Sequence, residues 1–214
     1  MFISFEGIDG SGKSTQARLL AEALRAEGRE VVLTREPGGS PGAEDIRRLL
    51  VEGVPDRWSP ETELLLFTAA RRDHLERLIR PALDRGAWVV TDRFADSTRV
   101  YQGAARGDDP AEQARFAELV EALHALMIGV EPDRTLIIDL DPAEALARAT
   151  GRAEGQITAE AEERYESMGL GFQQRLCAGF HDLARRHPAR VRLIDGRGDA
   201  GTVAARVRQA LAAP

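Results

Sequence analysis

One ammonium group stands apart in this chain. Of its 29 basic residues, Lys13 is the only lysine and all the others are arginine. It sits in Gly7-Ile8-Asp9-Gly10-Ser11-Gly12-Lys13-Ser14, the spacing G-x-x-x-x-G-K-[ST] of a loop that wraps a polyphosphate. The glycines let backbone N–H groups converge on phosphate oxygens without side-chain obstruction. A helix beginning near Lys13 would aim its positive end at the same anion. An ammonium is a compact point charge that reaches between β- and γ-phosphates, whereas the wider, planar guanidinium substitutes poorly. Ser14 offers a hydroxyl to Mg²⁺. Asp9 is a carboxylate inside an anion cradle. Either it points away into solvent, or it meets a cation or hydroxyl at the cradle's edge, and the second is the expectation. The bland alternative for the whole run is a glycine-rich turn that merely joins strand to helix.

A phosphate cradle alone serves kinases, GTPases, motors and ligases. Guanine-specific GTPases read their base with an Asn-Lys-x-Asp box, and this chain has no asparagine and no second lysine. Motor ATPases carry added modules for which 214 residues leave little room. The remaining constellations suit a pocket for a second small anion. Arg35 and Glu36 follow an apolar run. Phe67 and Arg71 are i, i+4 and share a helical face, so Phe67 could stack on a base while Arg71 reaches its polar edge. For an isolated helix the default is instead Phe67 in the core and Arg71 in solvent. Asp92 and Arg93 close Val89-Val90-Thr91-Asp92-Arg93. There Asp92 can join the Mg²⁺ shell through water and Arg93 can grip a phosphate bidentately, or the two form only a surface ion pair. Thr98, Tyr101 and Gln102, beside Ser97, are spaced to share one face and suggest base and sugar recognition.

These residues need elements to position them. Apolar runs at 2–6, 31–33, 87–91, 135–140 and 191–195 read as strands. Helical periodicity covers 14–27, 43–52, 110–128, 142–149, 164–187 and 201–212. A longer helix is expected from Pro60, with Ser59 as N-cap, to Pro81, and a short one after Asp96. Residues 150–163 lack periodicity and read as an exposed flap. Strands alternating with helices give an α/β fold with a five-stranded, mainly parallel sheet flanked by helices. Ligands in such folds bind outside the carboxyl ends of the strands, where the cradle, Arg35 and Asp92-Arg93 all fall.

Composition narrows the class. With 43% hydrophobic and 30% charged residues the chain can bury a core, and its length suits a single domain, 1–214, with a flap. A net charge of −6 argues against coating nucleic acid. No run approaches the ~18 uncharged apolar residues of a membrane helix, and the start has no signal-peptide core. One cysteine excludes a disulfide framework. A cytoplasmic location without membrane association is therefore the expectation. His74, His124, His181 and His187 show no metal spacing, and His74 is expected at the surface, although it could touch the pocket. Cys177 reads as semi-buried, Trp58 and Trp88 as packing residues, and the apolar face of 113–127 as either core or dimer contact.

Taken together, Phe-Glu-Gly-x-Asp-Gly-Ser-Gly-Lys-Ser-Thr (5–15), Thr-Arg-Glu-Pro-Gly-Gly (34–39), Leu-Phe-Thr-Ala-Ala-Arg-Arg-Asp-His (66–74), Asp-Arg-Phe-x-Asp-Ser (92–97), Tyr-Gln-Gly (101–103) and Glu-Arg-Tyr-Glu (163–166) resemble the bacterial thymidylate kinases. The resemblance runs over nearly the whole chain, in order. It implies a P-loop NTPase fold of the nucleoside-monophosphate-kinase type, and phosphoryl transfer from ATP to dTMP with Mg²⁺, in a homodimer. The implied donor site is Gly7, Ile8, Asp9, Gly10, Ser11, Gly12, Lys13, Ser14, Thr15 and Arg148. On the acceptor side, Phe67 would stack on thymine, and Arg71 and Gln102, with Thr98 or Ser97, would read its polar edge. Arg35 and Arg93 would hold the phosphate. Tyr101 would crowd the sugar's 2′ position. Asp9 and Glu36 would lie near the sugar hydroxyl and the phosphate-binding arginines. Ser14 and Asp92 would hold the metal, and Lys13, Asp9, Arg93 and a flap arginine would form the catalytic set.

The chain departs from the family pattern in the flap, at about 148–163. Thr150 interrupts the usual arginine series, and Glu163-Arg164-Tyr165-Glu166 follows a longer stretch. Arg148 and Arg152 are the candidates for the catalytic arginine, with Arg152 preferred because it lies further into the flap. Other kinases acting on dUMP, CMP or a nucleoside are the nearest rivals. An ATP-binding regulatory module is the rival from another class, and a second anion site argues against it.

Overall fold

The computed structural model describes residues 1–52, 57–105, 109–153 and 168–212, with the backbone alone for 150–153. Five strands, β1 (Phe2–Glu6), β2 (Val31–Arg35), β3 (Trp88–Asp92), β4 (Arg134–Asp139) and β5 (Val191–Asp195), form one parallel sheet in the order β2-β3-β1-β4-β5. Register aligns their carboxyl ends. Asp92 lies opposite Phe5 on one side and Arg35 on the other, and Glu6 lies opposite Ile137. The loops that follow β1, β2 and β3 therefore leave the sheet at one edge, where ligands of open α/β sheets bind.

Side chains alternate across the sheet. Ile3, Phe5, Leu136, Ile138 and Ile194 face α1 (Lys13–Ala26) and the last helix, which contributes Val203 and Val207. On the opposite face Ile137 and Val191 pack under Phe172, Leu176, Phe180 and Leu183, while Phe2 and Val89 meet Leu75, Ile79 and Phe94. Helices cover both faces, so the three inner strands β3, β1 and β4 are largely buried, while the edge strands β2 and β5 keep exposed side chains such as Leu33 and Leu193. This second face also hides polar groups: Ser4, Glu6, Thr91 and Thr135 are all fully buried. Each needs a partner. Ser4 Oγ and Thr135 Oγ1 lie 3.0 Å apart, and Thr135 donates to Asp96 Oδ2 at 2.8 Å. Asp96 is itself paired with Arg190 and Arg99.

The remaining helices are α2 (Pro41–Val51), α3 (Pro60–His74), α4 (Arg80–Asp84), α5 (Ala95–Thr98), α6 (Pro110–Leu123), α7 (Pro142–Ala153), α8 (Gly169–Arg186) and α9 (Ala200–Ala212). The start of α3 is as expected: Ser59 Oγ accepts from Thr62 N, with Pro60 in the first turn and Glu61 and Glu63 favourably placed against the dipole. Its end is not. A π-helical turn, Leu75–Ile79, carries α3 on into α4, with Pro81 in that helix's first turn. There a missing N–H is tolerated, so proline does not stop the run. α7 likewise continues to Ala153, four residues past the expected end. Its alanines and arginines favour helix enough to absorb one glycine. The first residues expected in the flap are thus helical, and 154–163, with the Glu163–Glu166 element, lie outside the described residues. Among the described residues no helix is long and apolar enough to cross a membrane.

Candidate active site

The loop after β1 takes up backbone angles that only glycine reaches easily. Gly7, Gly10 and Gly12 have φ of 134°, 80° and 98°. A Cβ on Gly7 would lie 2.7 Å from Ile138 O, and one on Gly10 would fall 1.9 Å from Ala145 O, so β4 and α7 press directly on the loop backbone. α1 starts at Lys13 with no side-chain cap and no acidic residue in its first turn. Its first amides and its positive end therefore remain available to an anion. Ser14 is exposed at that first turn. Two oxygens at this edge, Ser11 Oγ and Asp92 Oδ1, are buried without a partner among the described residues.

Beside the cradle lies an open cleft lined by charged, polar and aromatic side chains. Asp9, Glu36, Phe67, Arg71, Arg93, Ser97, Thr98, Tyr101 and Gln102 all line it. The structure thus gathers nine residues that sequence places on four separate segments. Thr98 closes α5, while Tyr101 and Gln102 sit on a wider π turn, Arg99–Ala104. Such turns are frequent at functional sites because they re-aim side chains.

Asp9 joins the two compartments. It is 2% exposed. It accepts from Lys13 Nζ at 2.9 Å on the cradle side, and it forms an ion pair with Arg93 Nη2 on the cleft side. Burial alone would raise the carboxyl, but the charges of Lys13 and Arg93 outweigh it and bring Asp9 down to about 2. Asp9 therefore meets cations, as expected, rather than solvent. Arg93 is no surface ion pair either. It donates to Ser97 Oγ at 3.0 Å, Tyr101 Oη at 3.1 Å and Gly7 O at 3.3 Å, and its guanidinium lies over the Tyr101 ring.

Arg71 is buried, not in solvent, and Phe67 is half-exposed at the cleft rather than in the core. Arg71 Nε donates to Glu36 Oε2 at 2.7 Å, and Nη2 donates to Thr98 Oγ1 at 3.0 Å and Phe94 O at 3.1 Å. Glu36 thus pairs with Arg71 instead of Arg35 or Arg93. Its other oxygen is 3.0 Å from His74 Nδ1, and His74 Nε2 is 2.8 Å from Thr34 Oγ1. His74, expected at the surface, is fully buried because this chain of partners satisfies both ring nitrogens. Gln102 Nε2 donates to the buried Glu63 Oε1 at 3.1 Å.

Some expected residues stand apart. Arg35 ends β2 but does not line the cleft; its side chain, 54% exposed, pairs with Glu44 at 3.2 Å. Arg148 lies on the exposed face of α7 and bonds Glu144 at 2.6 Å. Arg152 is on the last turn of α7, and its side chain lies outside the described residues. Arg47, unremarked in the sequence, lines the cleft and donates to Pro37 O at 2.8 Å. Cys177 is half-buried, and burial with nearby Asp139 and Asp141 pushes its thiol up to about 12, which leaves it inert.

Comparison with known proteins bears directly on this arrangement. A family model described as thymidylate kinase matches residues 5–207. This chain belongs to the thymidylate kinase family. It is similar to the thymidylate kinase of Ruegeria pomeroyi, at 63% identity over 98% of this chain and 93% of that one. It is also similar to that of Dinoroseobacter shibae, at 67% identity over 96% and 93%. Among solved structures it resembles the crystal structure of thymidylate kinase from Ehrlichia chaffeensis, with a TM-score of 0.74, 38% identity, and 99% and 97% of the two chains covered. The fold is accordingly the P-loop nucleoside-monophosphate-kinase type.

Among the buried acids given no role in the sequence, Glu6 stands nearest the cradle. Glu6 ends the central strand, fully buried, accepting from Phe94 N at 2.7 Å and Ser97 Oγ at 2.5 Å. Burial, and then the charge of Asp96, pushes its carboxyl from 4.5 up to about 8, with Ser97 and Arg93 offsetting only part. A carboxyl raised on folding takes up a proton, so its contribution is fully present below about pH 4.5 and is lost as pH rises through about 8. Glu6→Gln, which does not titrate, should therefore gain on the parent chain as pH rises. Thermal unfolding at pH 5.5 and pH 8.5 checks this: the melting-temperature difference should move in favour of Gln by several degrees, and an unchanged difference would contradict it.

Proposed function

We propose that this chain transfers the γ-phosphoryl group of ATP to dTMP, giving ADP and dTDP. The observation that carries the reading is the pairing of an open phosphate cradle with a guanidinium-lined cleft, bridged by Asp9. A one-nucleotide switch has no use for the second compartment.

The acceptor is a phosphate oxygen, already anionic near neutral pH, so no side chain need act as general base. Rate enhancement comes from alignment and from neutralising charge on the transferring group. The cradle amides and Lys13 hold the donor phosphates, and the ammonium leaves Asp9 to reach them. Arg93 grips the acceptor phosphate from a position fixed by Asp9, Ser97 and Tyr101. Arg35 joins it by turning away from Glu44. Phe67 stacks on thymine, while Arg71 and Gln102 read its edge with Thr98. Tyr101 closes the space beside the sugar. Mg²⁺ suits the exposed Ser14 hydroxyl and the partnerless Asp92 Oδ1; when bound with ATP it supplies further charge neutralisation. Arg148 and Arg152, carried on the helix that presses on Gly10, supply positive charge to the transferring group from the flap, whose closure excludes water.

We propose a cytoplasmic homodimer. The exposed apolar side chains Leu65 on α3 and Leu126 and Met127 just beyond α6 support an interface there. The reading is tested by ADP release with ATP, Mg²⁺ and a panel of monophosphates. Release should require an acceptor and be fastest with dTMP. Equal rates with and without dTMP, or preference for CMP, would overturn it.

A further inference from the structure

Arg93 is held in an unusual backbone state: φ is 70°, the left-handed region that non-glycine residues seldom enter. Such a conformation persists only where surroundings over-determine it. Here the end of β1 does so. Arg93 N–H donates to Phe5 O at 2.9 Å. The next N–H, of Phe94, donates to Glu6 Oε1 at 2.7 Å. The other Glu6 oxygen holds Ser97 Oγ at 2.5 Å, and that hydroxyl accepts from Arg93 Nη1 at 3.0 Å. Glu6 forms no ion pair of its own among the described residues, so it does not serve as a counterion in contact with any guanidinium. Its two oxygens instead reach both ends of one residue, the backbone directly and the guanidinium through Ser97.

We infer that Glu6 is a positioning residue for Arg93, setting the arginine's backbone through Phe94 N–H and its guanidinium through the Ser97 hydroxyl, and so preparing the grip on the acceptor phosphate. The inference rests on the dTMP reading above. Either protonation state of the carboxyl sustains the clamp: the carboxylate accepts from the Ser97 hydroxyl, and the protonated carboxyl donates Oε2–H to Ser97 Oγ, while Oε1 accepts from Phe94 N–H in both. A glutamine also sustains it: its carbonyl accepts from Phe94 N–H and its amide N–H reaches Ser97 Oγ. An alanine breaks both ends.

The test compares calorimetric affinities for dTMP and for thymidine, which lacks the phosphate. Glu6→Ala should weaken dTMP about tenfold, the scale of one charge-assisted hydrogen bond, and leave thymidine within about twofold. Glu6→Gln should restore most of the dTMP affinity. Added to Arg93→Ala, Glu6→Ala should cost nothing further, since the residue it positions is gone. Should Glu6→Ala fail to fold, Ser97→Ala carries the same expectation at a smaller loss, about threefold. Parent-like dTMP affinity in Glu6→Ala and Ser97→Ala, or equal weakening of dTMP and thymidine, overturns the inference. Failure of the parent chain itself to bind dTMP overturns the proposed function, and the inference with it.

Discussion

Lys13→Ala lowers turnover roughly a thousandfold and leaves dTMP affinity within about threefold. The first figure is that of removing one preorganised charge from a dry site where negative charge shifts during reaction. The second follows from position. Lys13 is absent from the cleft lining, and its ammonium reaches the cleft only by way of Asp9. With the ammonium gone, Asp9 keeps Arg93 as its counterion, so the acceptor side stays assembled. Arginine should not rescue the variant, because a planar guanidinium does not reproduce the compact point charge of an ammonium. Steady-state kinetics with ATP varied, combined with dTMP titration by calorimetry, separates the two effects. Near-parent turnover would remove Lys13 from its role. A large loss of dTMP affinity would mean that the two compartments are not separable.

Arg93→Ala lowers kcat/KM for dTMP by roughly a thousandfold, within the range for truncating one partner of a buried, hydrogen-bonded charge pair. Four groups position this guanidinium: Asp9, Ser97, Tyr101 and the Gly7 carbonyl. Alanine leaves all four behind, and Asp9 then keeps Lys13 as its counterion. Lysine at this position recovers no more than about tenfold, because a single ammonium cannot occupy the separate Nη1 and Nη2 bonds that the fork makes. Kinetics with dTMP varied at saturating ATP read this out. A change confined to the ATP KM would place Arg93 on the donor side and contradict the assignment.

What hydropathy could reveal was the frame. All five strands lie where apolar runs place them, and β5 keeps its bounds of 191 and 195. β2 runs two residues past its apolar part, because Thr34 and Arg35 continue the ladder against Thr91 and Asp92. Pairing, not hydrophobicity, sets that end. Glycine spacing located the cradle, since the loop geometry admits little else at Gly7 and Gly10. Part of the cleft lining was legible because Glu36 and Arg93 are charged groups just beyond strand ends, and the rest through helical spacing, with Phe67 and Arg71 i, i+4 on α3 and Thr98, Tyr101 and Gln102 on one face.

Glu6 and His74 were not legible as buried groups. A charged or polar side chain reads as exposed until its partners are known, and those of Glu6 lie 88 and 91 positions away. One signal was present: an acid ending an otherwise apolar central strand calls for a compensating donor. For His74 the cue was its place one turn beyond Arg71 on α3. The direction of Arg35 was beyond reach for another reason. It depends on a rotamer and a competing acid, Glu44, which Gly39 N–H also holds at 2.9 Å.

The central claim is that the phosphoryl group passes to a second nucleotide rather than to water. Incubation with ATP labelled at the γ-phosphate, Mg²⁺ and dTMP, followed by separation of the products, tests it most directly. The expected result is label in dTDP, with one ADP formed for each dTDP and little inorganic phosphate. Label released as inorganic phosphate, with dTMP unchanged, would contradict it.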